Sequence, residues 1–164
     1  MIKPLNATFL KWGAGFFCVV IIQVTALKYL AIEIRPNISV QPDVVLLLLF
    51  FFGMQFSQNT SITTGFAAGL LYDIFGGGIM GLSAFSKTVA GFLTGYIPRR
   101  HKMKNVSQFI VFLLVITIIH DLIFNAIYVI NTDIDYWMVV ALHTLPSSIY
   151  TLFIGVIIYI WLEQ

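Results

Sequence analysis

The chain has 164 residues, of which 59% are hydrophobic and only 10% charged, and its formal net charge is +2. A water-soluble domain carries about 25% charged residues, so this chain lacks the polar surface to cover itself in water, in keeping with its mean hydropathy of +0.94. The length suits one domain or one compact bundle, and the single cysteine, Cys18, excludes an internal disulfide.

Six apolar segments follow one another, at about 12–32, 40–56, 58–75, 81–97, 107–130 and 136–162. They predict an all-α integral membrane protein, a six-transmembrane-helix bundle forming a single transmembrane domain over 1–164. The first segment follows Lys3 and Lys11 and reads as an uncleaved span rather than a signal peptide, because so many apolar segments come after it. IEIRPNISVQPD, with Pro36 and Pro42, reads as a short loop. Pro42 suits the first position of the second helix, and Asp43 then sits beside the positive end of its dipole. The run from Val44 to Phe56 is hydrophobic all round, which means heavy lipid or core contact. The apolar part of the third segment, Ile62 to Phe75, spans roughly 21 Å at about 1.5 Å per residue. That is short of the roughly 30 Å hydrocarbon core, so the segment borrows polar residues such as Thr60 to Thr64 or sits surrounded by protein.

The third and fourth segments form the centre of the prediction. Gly65 and Gly69 are four apart on the first, Gly91 and Gly95 on the second, and a glycine-dense turn, including Gly77 and Gly81, joins them. Small residues at that spacing let two helix backbones approach closely in lipid. Asp73 precedes the turn and Lys87 follows it, and charges so placed normally face the bundle interior with a partner. Lys87 lies about 9 Å from the turn, counting roughly 1.5 Å per residue, and helical side chains lean toward the N-terminus. The expected partner is therefore Asp73, with Asp121 competing, in a pair that fixes the register of the hairpin. Asp43 reads as a helix-start residue rather than a site.

PRRHKMKN is the one strongly basic loop, and NTDID, near the end, is acidic. With six spans and both termini cytoplasmic, Lys3, Lys11 and the basic loop all fall inside, as the positive-inside rule requires. Trp12, Tyr29, Tyr96, Tyr128, Trp137 and Trp161 fall near segment ends, as an aromatic belt would. Pro146 should kink the last span and free a backbone carbonyl.

Motifs with chemistry of their own are scarce. GLSAFSKT resembles a phosphate-binding loop, but it lacks the second glycine and lies in an apolar segment, so the context fails. His120 and Asp121 are adjacent and should point about 100° apart on a helix, which argues against a simple dyad. His120 and His143 read as hydrogen-bonded packing residues. No spacing points to a metal, a cofactor, nucleic acid or an enzyme.

RPNISVQPDVVLLLL (Arg35 to Leu49) and GFAAGLLYDIFGGGIMGLSAF (Gly65 to Phe85), with the size and span count, resemble the MreD family, the membrane subunit of the bacterial rod-shape system. That resemblance implies a non-enzymatic scaffold of the inner (cytoplasmic) membrane. It would bind the bitopic partner MreC and help couple cytoplasmic MreB filaments to the peptidoglycan synthases. It also implies a bundle like the substrate-binding subunits of energy-coupling-factor vitamin transporters, and it carries no catalytic residues. MreC would dock on an exposed helix face or outer loop, by packing rather than charge, with the broad aliphatic helices two and five left for contact. The competing class is such a vitamin-binding subunit. The Ala-x-x-x-Ala face expected on its first helix is missing from Ala14, Ala26 and Ala31.

Overall fold

The computed structural model describes residues 7–26, 29, 31–35, 38–97, 105–130 and 135–163. Its elements in chain order are α1 (Ala7–Thr25), β1 (Ile32–Arg35), β2 (Ile38–Val40), α2 (Val44–Gly53), α3 (Gln58–Gly76), α4 (Leu82–Thr94) and α5 (Val106–Ile130). A final continuous helix begins as α6 (Tyr136–Val139), passes through a π-helical stretch (Val140–Thr144) and continues as α7 (Leu145–Glu163). The basic loop at 98–104 and most of the acidic loop, 131–134, lie outside the described residues.

The shortest helix is the central one. α2 has 10 residues, about 15 Å at 1.5 Å per residue, and it contacts α1, α3, α4, α5 and α7. Val45, Leu46, Leu47 and every residue from Leu49 to Gly53 are buried, so the all-round apolar run meets protein rather than lipid. Val44 and Leu48 are the half-buried residues of α2.

α3 and α4 pack most intimately, and the reason is their glycines. A Cβ built on Gly65 would strike the Lys87 carbonyl oxygen, one on Gly69 the Ser83 carbonyl and Ala84 Cα, and one on Gly91 the Ser61 carbonyl oxygen. These neighbours are backbone, so the two helices lie as close as hydrogen-only side chains allow. Gly95 is filled in the same way by the Gln58 side chain. The turn between the helices needs left-handed backbone at Gly77 (φ 69°) and Gly81 (φ 92°), which glycine adopts without a Cβ clash.

The segment expected to be a loop is a β-hairpin. Ile32 pairs with Val40, Glu33 with Ser39 and Arg35 with Ile38, antiparallel, with an irregularity between Glu33 and Arg35. I-E-I-R and I-S-V alternate β-branched and polar residues, the period of a strand with two different faces. In the last helix, the π stretch ends at Thr144, with Leu145 between it and Pro146. Proline has no N–H for the carbonyl four residues back and crowds it, and the wider π turn accommodates the ring inside a continuous helix.

The two ends of the bundle differ in chemistry. At the end away from the β-hairpin, aromatic rings pack edge to face and in stacks. Trp12 meets Phe52 (5.3 Å between centroids) and Phe56, Phe52 stacks on Phe56 (4.2 Å), and Phe109 stacks on Tyr159 (4.3 Å). At the β-hairpin end the interior is polar: Gln23, Asp73, Lys87, His120, Asp121, Asn125, Ser148 and Thr151 are all buried. Large apolar side chains meanwhile face outward along the helices, among them Phe66, Phe85, Phe92, Val111, Ile149, Phe153 and Ile157.

Candidate functional site

The polar interior is built outward from the N-terminus of α2. The first N–H groups of a helix have no partner within it, and here they are buried. Asp43 Oδ1 accepts the Leu46 N–H at 2.8 Å as an N-cap. Gln23, from α1, accepts the Val45 N–H through Oε1 (2.9 Å) and donates through Nε2 to the Pro42 carbonyl (3.2 Å) and Asp43 Oδ1 (3.4 Å). The Asp43 N–H donates to Thr151 Oγ1 of α7 at 3.0 Å. Gln23 is a lone amide in an apolar run, and that was the signal in the sequence for its role.

The other oxygen of Asp43 holds Lys87. Lys87 Nζ donates to Asp43 Oδ2 at 2.5 Å, and the ammonium lies 5.3 Å over the Tyr72 ring. The lysine is 2% exposed. Its partner is thus Asp43, and the expected pairing with Asp73 is not made. Asp73 is fully occupied elsewhere: Oδ2 accepts the N–H groups of Gly81 (2.9 Å) and Ala84 (3.1 Å), and Oδ1 that of Ser83 (3.1 Å). Gly81 is the N-cap of α4 and has no side chain to do this, so the carboxylate comes from the end of α3. It sits where the α4 dipole favours a negative charge. Asp43 is more than a helix-start residue, since one carboxylate both caps α2 and neutralises Lys87.

Lys87 also meets His120 of α5, Nζ to Nε2 at 3.3 Å. An ammonium has only donors, so Nε2 accepts and the imidazole proton sits on Nδ1, where it donates to Asp121 Oδ1 at 2.9 Å. The two adjacent residues do converge, against the expectation drawn from their 100° separation. Asp121 Oδ2 accepts from Ser148 Oγ of α7 at 3.4 Å. A chain Asp43–Lys87–His120–Asp121–Ser148 thus ties α2, α4, α5 and α7. Beside it, Asn125 Nδ2 donates to Thr144 Oγ1 (2.9 Å) and contacts His143 Nδ1 (3.3 Å). His120 and His143 are therefore both hydrogen-bonded interior residues.

Around this chain lies a cavity of about 70 Å³, lined by residues that include Gln23, Gln41, Asp43, Tyr72, Lys87, His120, Asp121 and His143. Gln41, just after β2, closes over it, donating from Nε2 to the Tyr72 hydroxyl at 3.3 Å. A neighbouring, more apolar cleft of about 160 Å³ lies under the glycine turn, against Asp73 and Phe124. Among the described residues, no buried side-chain nitrogen or oxygen lacks a hydrogen-bond partner, and no cluster of three His, Cys, Asp or Glu side chains could hold a metal ion.

Outward-facing apolar side chains around a paired, hydrogen-bonded polar interior invert the distribution found in water, and they define a helical membrane protein. Two helices, Val106–Ile130 with 25 residues and Tyr136–Trp161 with 26, are long and apolar enough to cross a bilayer. The family model for the rod shape-determining protein MreD matches residues 8–164, nearly the whole chain. The chain belongs to that family, and it is a membrane protein of the rod-shape-determining kind. No curated protein and no solved structure matches it.

Proposed function

We propose that the protein is a non-enzymatic scaffold of the bacterial cell-elongation complex. It crosses the inner membrane six times, with both termini cytoplasmic and the β-hairpin end outside. It binds MreC and through it links cytoplasmic MreB filaments to peptidoglycan synthesis. Family membership supports the setting, and the observation that carries the scaffold role is a polar interior whose described buried side-chain groups are all hydrogen-bonded. The chain of ion pairs and hydrogen bonds from Asp43 to Ser148 uses its groups on one another. The cavity beside it, about 70 Å³, is well below the roughly 300–1,000 Å³ of pockets that hold vitamin-sized ligands. The adjoining cleft of 160 Å³ is also smaller. The larger space, about 280 Å³ between α1 and α3 against Trp12, Phe52 and Leu71, lies at the aromatic end of the bundle, away from the polar groups, so the polar end is too small for a vitamin-sized ligand.

The surface left for a packing contact with MreC includes the outward stripe of α5 around Val111 and Val115. Two experiments test the proposal. Purification in mild detergent should bring MreC down at equal stoichiometry, and recovery of a bound vitamin or an ATPase module instead would overturn it. In sealed cells, a cysteine placed at Asp133 should react with an impermeant thiol reagent and one at Lys102 should not. Labelling at Lys102 would refute the topology.

A further inference from the structure

The cleft of about 280 Å³ between α1 and α3 opens on the flank of the bundle at its aromatic end. Its floor is Phe52 of the central helix α2, with Phe16 and Ala68 buried beside it. Its rim is small and exposed: Gly13 on α1, Thr63 and Ala67 on α3. A Cβ added at Gly13 would meet nothing within 4 Å, so that side stands open. The wall on α3 runs from Thr63 to Leu71, about 12 Å at 1.5 Å per residue. Little in it suits water. The Thr63 hydroxyl is turned back on its own helix, donating to the Asn59 and Thr60 carbonyls at 3.2 and 2.9 Å. An apolar cavity of about 150 Å³ already stays dry and admits a benzene ring. This cleft is larger, and exposed Phe17 and Phe66 beside it place its opening on the apolar flank.

We propose that this cleft is a lipid site, holding one acyl chain of an anionic phospholipid from the leaflet at the aromatic end, with the phosphate at the mouth near Lys11. The shape selects a single chain. A helix is about 10–12 Å across with its side chains, too wide to pass between α1 and α3 and reach Phe52, whereas a polymethylene chain is one carbon wide. Lipid tails are as apolar as leucine, so entering the cleft gains the chain no hydrophobic term. What holds it is dispersion contact with the rings of Trp12, Phe16 and Phe52, contact that an empty cleft forfeits. The charge at the mouth selects the headgroup. Lys11 is exposed, one residue before Trp12. α3, 19 residues long, begins at Gln58, within two turns of Thr63, and its N-cap Ser57 makes no side-chain capping bond. The positive end of that helix therefore lies at the same end of the cleft. No Asp or Glu occurs in 1–32 or 44–72, the stretches that supply every wall, so nothing there repels a phosphate. Under the proposed topology the leaflet is the cytoplasmic one, but the site depends neither on that orientation nor on which partner the scaffold binds.

The test uses the full chain in nanodiscs of phosphatidylcholine containing a minority of phosphatidylglycerol. In one arm the phosphatidylglycerol carries a photoactivatable diazirine on an acyl chain, and crosslinks are mapped. In the other, native mass spectrometry counts the lipids that stay bound when the protein leaves the disc. Crosslinks should concentrate at 12–16 and 63–71, in excess over the outward stripe of α5 around Val111 and Val115, and one phosphatidylglycerol should stay bound per chain. Gly13→Leu, whose side chain enters the open side of the cleft, should abolish both signals while the unfolding midpoint holds. Ala67→Phe fills the cleft from the opposite wall and decides the matter if Gly13→Leu does not fold. Lys11→Gln should leave the acyl crosslinks in place and lower the preference for phosphatidylglycerol over phosphatidylcholine about fivefold, the worth of one basic residue at a membrane surface. Crosslinks spread evenly over α1, α3 and α5, or a bound lipid that both cleft-filling variants leave in place, overturn the site. So does a dimer, or a protein co-purified from the membrane, that these variants dissociate while no lipid is bound, since a second copy or a partner's helix then occupies the face. Equal retention of the two phospholipids by the unmodified chain overturns the choice of headgroup.

Discussion

Replacing Lys87 with methionine keeps most of the side-chain volume and removes the charge. The structure lets the loss be reasoned group by group. Lys87 is 2% exposed and holds Asp43 Oδ2, and removing one member of a buried ion pair typically costs about 3–5 kcal/mol because the other charge is stranded. Here Asp43 keeps two acceptor bonds, from the Leu46 N–H and from Gln23 Nε2, and its side chain is 15% exposed. The expected cost is therefore at the lower end, about 3 kcal/mol. Asp43→Asn in the same chain removes the stranded charge and leaves an oxygen to cap Leu46, so the double variant should recover most of that loss. The assay is reversible unfolding in mixed micelles, read as a double-mutant cycle over Lys87 and Asp43, with the same cycle over Lys87 and Asp73 as the control. Coupling should exceed about 1 kcal/mol in the first cycle and fall within about 0.5 kcal/mol in the second, as for residues that share no partner. Strong coupling to Asp73 and none to Asp43 would refute the pairing described above.

Asp73→Ala should cost about 2 kcal/mol, the upper end for a lost helix cap, and Asp73→Asn less, in the same unfolding assay; equal losses would mean that the α4 cap is not what Asp73 supplies. Gly69→Val should destabilise by about 2 kcal/mol or more, since the added carbons meet the backbone of Ser83 and Ala84. Gly13→Ala, with nothing within 4 Å of the new carbon, should stay within about 0.5 kcal/mol, and a similar effect at both positions would contradict the close approach of α3 and α4. Gln23→Leu should cost about 1–3 kcal/mol by leaving the Val45 N–H and the Pro42 carbonyl unpaired, and an unchanged midpoint would show that water replaces the amide.

The α3–α4 hairpin was legible because its signals are local. Glycines four apart, a Gly-rich turn and an Asp before it are all read within one stretch, and the backbone contacts at Gly65, Gly69 and Gly91 lie within that same stretch. The ion pair was not legible, because sequence proximity favoured the wrong carboxylate. Lys87 does lean toward the N-terminal end of its helix, and two aspartates lie in that direction. What decides between them is a demand invisible in a residue count: α4 begins at a glycine, so its N–H groups take Asp73. The β-hairpin was hidden by its prolines, which read as loop although the residues beside them alternate. His120 and Asp121 were separated on paper by the helix angle, but both side chains are long enough to meet.

The polar chain also has an order of cause. α2 is short, so its N-terminus starts inside the bundle, with Val45 and Leu46 buried beside it. Its orphan N–H groups must be met by protein, and Asp43, with Gln23, meets them. An aspartate there is favourable to the dipole but brings a charge into a poorly solvated interior, and Lys87 answers it. The ammonium has donors to spare and needs another acceptor, which fixes His120 with Nε2 bare. That tautomer puts a proton on Nδ1, which requires Asp121, and Asp121 in turn takes the Ser148 hydroxyl. Each member is the least that satisfies the one before it, and the sequence of demands starts from a helix of 10 residues. A bundle built this way gains a fixed arrangement of α2, α4, α5 and α7 from the start of a single helix. The same dependence makes Asp43 the residue whose loss should disturb the most elements at once.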